Sequence, residues 1–148
     1  MKKKILVALD GSEASDLALQ KVLENVNKEE TTIAVVYVIV PSTVVPFGGR
    51  VGVCEGVMSD PSCDELMKQD EELMQKKISQ INEKFNGSIQ LLVRLGEPRS
   101  EILASAQEFK ADLIVLGSTG KGLGKRLLLG SVSTYIVTHS PVSTLVVR

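Results

Sequence analysis

The chain has 148 residues, of which 43% are apolar and only 3% aromatic, with a formal net charge of −1 at pH 7. That length suffices for one domain with a substantial core, and that composition builds the core from Val, Ile, Leu and Ala. A charge so near zero argues against nucleic acid or an anionic membrane surface as partner. The longest apolar run, Ile33–Val40, is far too short to span a bilayer.

Residues Ile5–Leu9 form a compact apolar run that ends at Asp10-Gly11-Ser12, which reads as a strand, a turn and a helix cap. The MKKK start is followed by only five apolar residues, too few for a signal peptide, so a cytoplasmic protein is expected. Ala18, Leu19, Val22, Leu23 and Val26 recur at helical spacing and predict a helix from about Glu13 to Asn27. Thr32–Val40 reads as a second strand, apolar on both faces and stopped by Pro41. Residues 42–60 hold Pro46, Gly48, Gly49, Gly52 and Gly56 and read as a long, partly mobile loop over the top of the sheet.

Asp60-Pro61 is a strong helix start, and Leu66, Met67, Met74, Ile78, Ile81 and Phe85 line one side of the helix that follows. Asn86-Gly87 stops it. Ser88–Val93 is a third strand, Arg99–Phe109 a shorter helix and Leu113–Leu116 a fourth strand. Ser131–Ser140 is a last helix ended by Pro141, and Val142–Val147 is a fifth strand. Strand and helix alternate throughout, which implies one open parallel sheet with helices on both faces. Ligands in such sheets sit beyond the C-terminal strand ends, where the strand order reverses. No internal repeat or linker divides residues 1–148, so one domain is expected.

The segment after the fourth strand carries the chemistry. Gly117, Gly120, Gly122 and Gly124 alternate with Lys121, Lys125 and Arg126, and Gly130-Ser131-Val132 opens the last helix. Strand, glycine-rich cationic loop and helix start together suit phosphate, because backbone N–H groups come close and the helix end is partly positive. A Walker A loop fails, since Thr119 and Arg126 stand at two of its four fixed positions; the G-x-G-x-x-G fingerprint fails at Lys125.

What the segment does contain is Gly117-x2-Gly120-x9-Gly130-Ser131. This pattern resembles the G-2x-G-9x-G-[ST] motif of the ATP-binding, UspA-like branch of the universal stress protein family. The resemblance extends from Lys4 to Arg148. It implies a Rossmann-like, adenine nucleotide alpha hydrolase-like fold: five parallel strands in the order 3-2-1-4-5. It further implies that ATP or another adenine nucleotide binds at Ala8, Asp10, Val38, Leu116, Gly117, Gly120, Gly130, Ser131 and Val132. Val38 or Ile39 would offer its backbone to the adenine, Val38 being preferred. Mg²⁺ or Mn²⁺ could bridge the phosphates, although no protein ligand set for one is visible. A homodimer through the C-terminal strand is the expected assembly, since that strand is an apolar edge without Lys or Pro.

Each of these residues also has an ordinary structural explanation. Asp10 suits a turn, Gly117 and Gly120 suit tight loops, Gly130-Ser131 suits a helix cap and Val38 suits a core. No catalytic constellation is evident: His139 is the one histidine and sits at a helix end, and no paired carboxylates are placed by motif. Cys54 and Cys63 lack metal-site spacing and read as free thiols, with a transient redox pair as the lesser alternative. The expected function is a nucleotide-dependent regulator in stress response with at most slow ATP hydrolysis. Two competing readings are an enzyme of similar fold that transfers adenylyl groups, and a receiver-type signalling domain. The second is disfavoured because strand three ends without an acid.

Overall fold

The computed structural model describes residues 1–40, 43–47, 50–54, 61–85, 87–118 and 129–148, with backbone alone at 43–47, 50–54, 61–64 and 66. Five parallel strands form the main sheet: β1 (Lys3–Leu9), β2 (Thr31–Ile39), β5 (Ile89–Leu95), β6 (Leu113–Gly117) and β7 (Ser143–Val147). Their order is β5-β2-β1-β6-β7. Counting only these five strands, that is the 3-2-1-4-5 order expected from the resemblance. The helices are α1 (Glu13–Asn25), α2 (Pro61–Phe85), α3 (Pro98–Phe109) and α4 (Ser131–His139).

Strand alternation divides the core into two layers. Ile5, Val7 and Leu9 of β1 pack with Val35 and Tyr37 against Ala18, Leu19 and Val22 of α1 and Met74 and Ile78 of α2. Leu6 and Ala8 face the other way, with Ala34, Val36, Ile114 and Leu116, onto Ile102 and Ala106 of α3 and Ile136 of α4. The central strands β1, β2 and β6 are therefore apolar on both faces, as a doubly covered parallel sheet requires.

The segment read as one long loop contains a hairpin instead. β3 (Thr43–Phe47) and β4 (Arg50–Cys54) pair antiparallel, from Thr43↔Cys54 to Phe47↔Arg50. The β-branched valines outweigh the breakers there. Pro46 is tolerable because both strands of an isolated ribbon are edges, where a missing N–H need not break a ladder. Cys54 ends β4 and Cys63 lies in the first turn of α2; their side chains lie outside the description.

Three local devices set the C-terminal edge of the sheet. The turn after β1 uses Gly11 at φ 82°, a left-handed conformation that other residues resist. Ser12 caps α1 through its side chain, which accepts from Ser15 N at 3.2 Å. Glu97 caps α3 in the same way, accepting from Ser100 N at 3.0 Å, with Pro98 at the first helical position. Among the described residues no helix is long and apolar enough to cross a membrane.

Candidate functional site

A cavity of about 490 Å³ opens over the C-terminal ends of β1, β2 and β6. It lies where β1 has β2 on one side and β6 on the other, which is the point of strand-order reversal. Ala8, Asp10, Val38, Leu116, Gly117, Gly130, Ser131 and Val132 all line it. Eight of the nine residues suggested by the resemblance thus meet at one place, although they come from four separate elements and turns. Gly120 lies outside the described residues, as do Lys121, Lys125 and Arg126.

The start of α4 forms one wall. Gly130 is its N-cap at φ −65° and ψ 163°, and among the described residues no side chain caps the helix. α1 and α3 both have a side-chain cap, and α4 differs from them in having none among the described residues. Gly130 itself has an ordinary φ, so backbone conformation is not the reason for glycine here. The ends of the glycine-rich segment are clamped together. Gly130 N donates to Ser118 O at 2.8 Å, and Ser118 N donates to Val147 O at 2.9 Å. Ser133 Oγ donates to Gly117 O and Ser118 O at 3.1 and 3.3 Å. Ser133 is buried and was not singled out in the sequence. Its position three residues after Gly130, in the first helical turn, was the available signal.

Gly117 has a packing reason of its own. A Cβ there would lie 2.6 Å from Ala14 C and 2.8 Å from both Ala14 O and Ser15 N, all backbone atoms of the first turn of α1. The close approach that demands glycine is therefore to α1, and it holds whether or not a ligand is present.

The β2 wall follows from register. The last β1–β2 pair is Leu9↔Tyr37, so Val38 and Ile39 overhang the end of β1. The Ile39 carbonyl accepts from Gly96 N on the β5 side at 3.0 Å. Successive carbonyls in a strand point to opposite sides, so the Val38 carbonyl faces the β1 side, beyond that last pair. Val38 and not Ile39 thus presents a backbone acceptor toward the cavity.

Asp10 lines the cavity, and it also serves the turn: Oδ1 accepts from Ser12 N at 2.8 Å, while Asp10 N donates to Ser15 Oγ at 3.3 Å. Tyr37 and Asp70 are cavity residues that sequence reading passed over. The Asp70 carboxylate of α2 is near enough to the Tyr37 hydroxyl to perturb it. Burial, then the Asp70 charge, and last the Asp10 charge hold the Tyr37 hydroxyl above its ordinary pKa. His139 lies outside this cavity. It is exposed at the end of α4, where the sequence placed it, and is stacked on Tyr135 at 4.0 Å. Among the described residues no group of three or more His, Cys, Asp or Glu could hold a metal ion.

These features define a doubly wound α/β domain with a ligand-sized cavity at its switch point and, in the cavity wall, a helix start without a side-chain cap among the described residues. The model of the universal stress protein family matches residues 1–148, and the chain belongs to that family. Universal stress protein MJ0531 of Methanocaldococcus jannaschii is 35% identical over 146 residues, covering 99% of this chain and 82% of that protein. The solved structure of universal stress protein UspA from Lactobacillus plantarum superposes with a TM-score of 0.81 at 24% identity, covering 99% of this chain and 97% of the other. An Arabidopsis thaliana family structure with AMP bound superposes at TM-score 0.66 and 17% identity, over 98% and 90% of the two chains. A universal stress protein structure in complex with cAMP gives TM-score 0.64 at 18% identity, over 99% and 97%.

Proposed function

We propose that this chain binds ATP or a related adenine nucleotide and works as a nucleotide-dependent regulator in stress response. The observation that carries the reading is the α4 start, Gly130-Ser131-Val132, which has no side-chain cap among the described residues and opens into a cavity of nucleotide size. Helix N-termini supply free N–H donors and partial positive charge, which suit phosphate oxygens. The Ser131 hydroxyl would add a donor, and the Gly117-x2-Gly120 segment would pass close to ribose and phosphate. Leu116 and Ala8 would pack on the nucleoside, the Val38 carbonyl would meet the adenine edge, and Asp10 would face ribose. Family structures with AMP and with cAMP bound support an adenine nucleotide as the ligand class.

Any hydrolysis is slow. The titratable groups among the described lining residues are Asp10, Tyr37 and Asp70, gathered around β1 and β2 and not at the α4 start. A general base must lie within hydrogen-bond reach of the attacking water at the terminal phosphate, and these residues are on the wrong side for that. If Mg²⁺ or Mn²⁺ accompanies the nucleotide, the phosphates supply its ligands, since the described residues offer no set. The edge strand β7, with Leu145 47% exposed, would pair two copies into a dimer.

The direct test denatures freshly purified protein and identifies released nucleotide by chromatography and mass. Released ATP establishes tight binding with slow turnover. Released AMP or ADP supports binding and leaves turnover open. If no adenine nucleotide is released and none of ATP, ADP, AMP or cyclic AMP binds saturably on titration, the reading is wrong.

A further inference from the structure

The β3–β4 ribbon has two outer edges, and the sequence blunts only one of them. No third described strand joins the ribbon. Its ladder runs Thr43↔Cys54, Val44↔Val53, Val45↔Gly52, Pro46↔Val51 and Phe47↔Arg50. In an antiparallel ladder, pairs that exchange both backbone bonds alternate with pairs that turn those groups away from each other. Pro46 has no N–H, so Pro46↔Val51 is a pair of the second kind. Val45↔Gly52 and Phe47↔Arg50 are then exchanging pairs, as a two-residue connection between Phe47 and Arg50 also requires. It follows that Val44 and Pro46 turn their backbone groups to the outer edge of β3, and Val51 and Val53 turn theirs to the outer edge of β4. The β3 edge lacks the donor at Pro46, which blunts it. The β4 edge keeps both donors and both acceptors, and Arg50–Cys54 contains no Pro or Lys.

We propose that β4 pairs with β4 of a second copy, antiparallel and two-fold about Gly52, to form a four-stranded ribbon in the order β3-β4-β4-β3. The open edge is self-complementary in that register. Val51 meets Val53 of the second copy, Val53 meets its Val51, and each pair exchanges both bonds, so every donor and acceptor left on the two edges is used. Gly52 meets Gly52 of the second copy in a non-exchanging pair, where Cα atoms approach to about 4.5 Å. Glycine, with no Cβ, suits the one position that faces its own counterpart. Arg50 is the one charged residue of the ribbon strands, and it falls opposite Cys54 of the second copy, so like charges are not set face to face. A lone two-stranded ribbon is marginal in water and gains from further strands. The pairing is separate from the β7 edge, which belongs to the other sheet, and it does not rest on the nucleotide reading. Five residues a side make a far smaller contact than a stable interface, so the pairing forms in concentrated protein and opens on dilution.

The test follows full-length protein by sedimentation velocity over a wide concentration range, under reducing conditions, beside Val53→Pro. Proline at position 53 removes only an outward N–H, as Pro46 does on β3, so the inner ladder is kept; circular dichroism checks folding. The parent should show a concentration-driven doubling of mass that Val53→Pro loses, whatever assembly β7 makes. A second measurement reads the register and decides alone if Val53→Pro does not fold. Gly52→Cys, with Cys54→Ser and Cys63→Ser, is oxidised with diamide in concentrated protein. Facing Cα atoms about 4.5 Å apart lie within disulfide range, so a covalent dimer should form. Val51→Cys in the same background is displaced from its counterpart by about 7 Å along the strand as well as across it, and should cross-link at least tenfold less. Association that Val53→Pro leaves unchanged, a parent whose mass does not depend on concentration, or equal cross-linking at positions 51 and 52 would each refute pairing through β4.

Discussion

Gly117→Ala isolates how the end of β6 is built. The added methyl carbon would sit 2.6 Å from Ala14 C and 2.8 Å from Ala14 O and Ser15 N, inside any tolerated contact. Neither side yields easily. Gly117 is the last residue of β6, paired with Val147 of β7, and its carbonyl accepts from Ser133 Oγ. The first turn of α1 is held by the Ser12 cap, by Ser15 Oγ donating to Ser12 O at 3.0 Å, and by Asp10 N donating to Ser15 Oγ. Overpacking a core typically costs about 1–3 kcal/mol. Here all three clashing atoms are backbone and relief would loosen hydrogen bonds worth about 1 kcal/mol each, so the top of that range, about 3 kcal/mol, is expected. For a domain of this size about 1 kcal/mol shifts the melting midpoint by roughly 2–4 °C, which gives a fall of roughly 6–12 °C. Thermal unfolding of nucleotide-free parent and variant, followed by circular dichroism, measures it. A midpoint within about 2 °C of the parent would refute the reasoning.

Tyr37 should ionise later than an ordinary tyrosine, because burial and the adjacent Asp70 charge raise its pKa. A raised folded pKa means its stabilising contribution is complete below the ordinary value of 10.0 and is lost as pH climbs through the folded value. Phenolate absorbance should show a late phase that Tyr37→Phe removes. Glu97 runs the opposite way. Its bond to Arg99, aided by Ser100 and opposed by slight burial, holds its pKa down to about 2 from 4.5. Its contribution to the α3 start is therefore present above pH 4.5 and fades as pH falls toward 2. Glu97→Ala should cost about 0.5–1 kcal/mol by urea denaturation at pH 7, and a difference that persists at pH 2 would contradict this. Leu145→Lys, on the exposed edge strand, should convert the proposed dimer to a monomer by light scattering; an unchanged dimer mass would place the interface elsewhere.

The alternating strands and helices were legible because the central strands β1, β2 and β6 are built on apolar runs and helices carry a stripe such as Ala18, Leu19 and Val22. The site was legible where a fixed spacing encoded it: Gly117 and Gly130 meet because Ser118 and Gly130 are hydrogen-bonded across the intervening segment. The β3–β4 hairpin was not legible, because Pro46 and the neighbouring glycines imitate loop chemistry within a valine-rich stretch. Asp70 was hidden for a different reason. It stands in the run Lys68-Gln69-Asp70-Glu71-Glu72, where nothing separates a cavity residue from a solvated helix face. Tyr37 looked like one more core residue of β2, and only the position of α2 brings the Asp70 carboxylate near its hydroxyl. The reason for glycine at 117 was also out of reach, since it depends on how closely α1 approaches β6.

The central claim is that the α4 start binds the phosphates of an adenine nucleotide. Calorimetric titration of ATP into nucleotide-free protein, beside Gly130→Val, tests it most directly. The account predicts saturable one-site binding by the parent and at least a tenfold loss in the variant, with the melting midpoint of the ligand-free variant within a few degrees of the parent. Equal affinity in the two proteins would show that the nucleotide does not use the α4 start, and absence of binding in the parent would contradict the account outright.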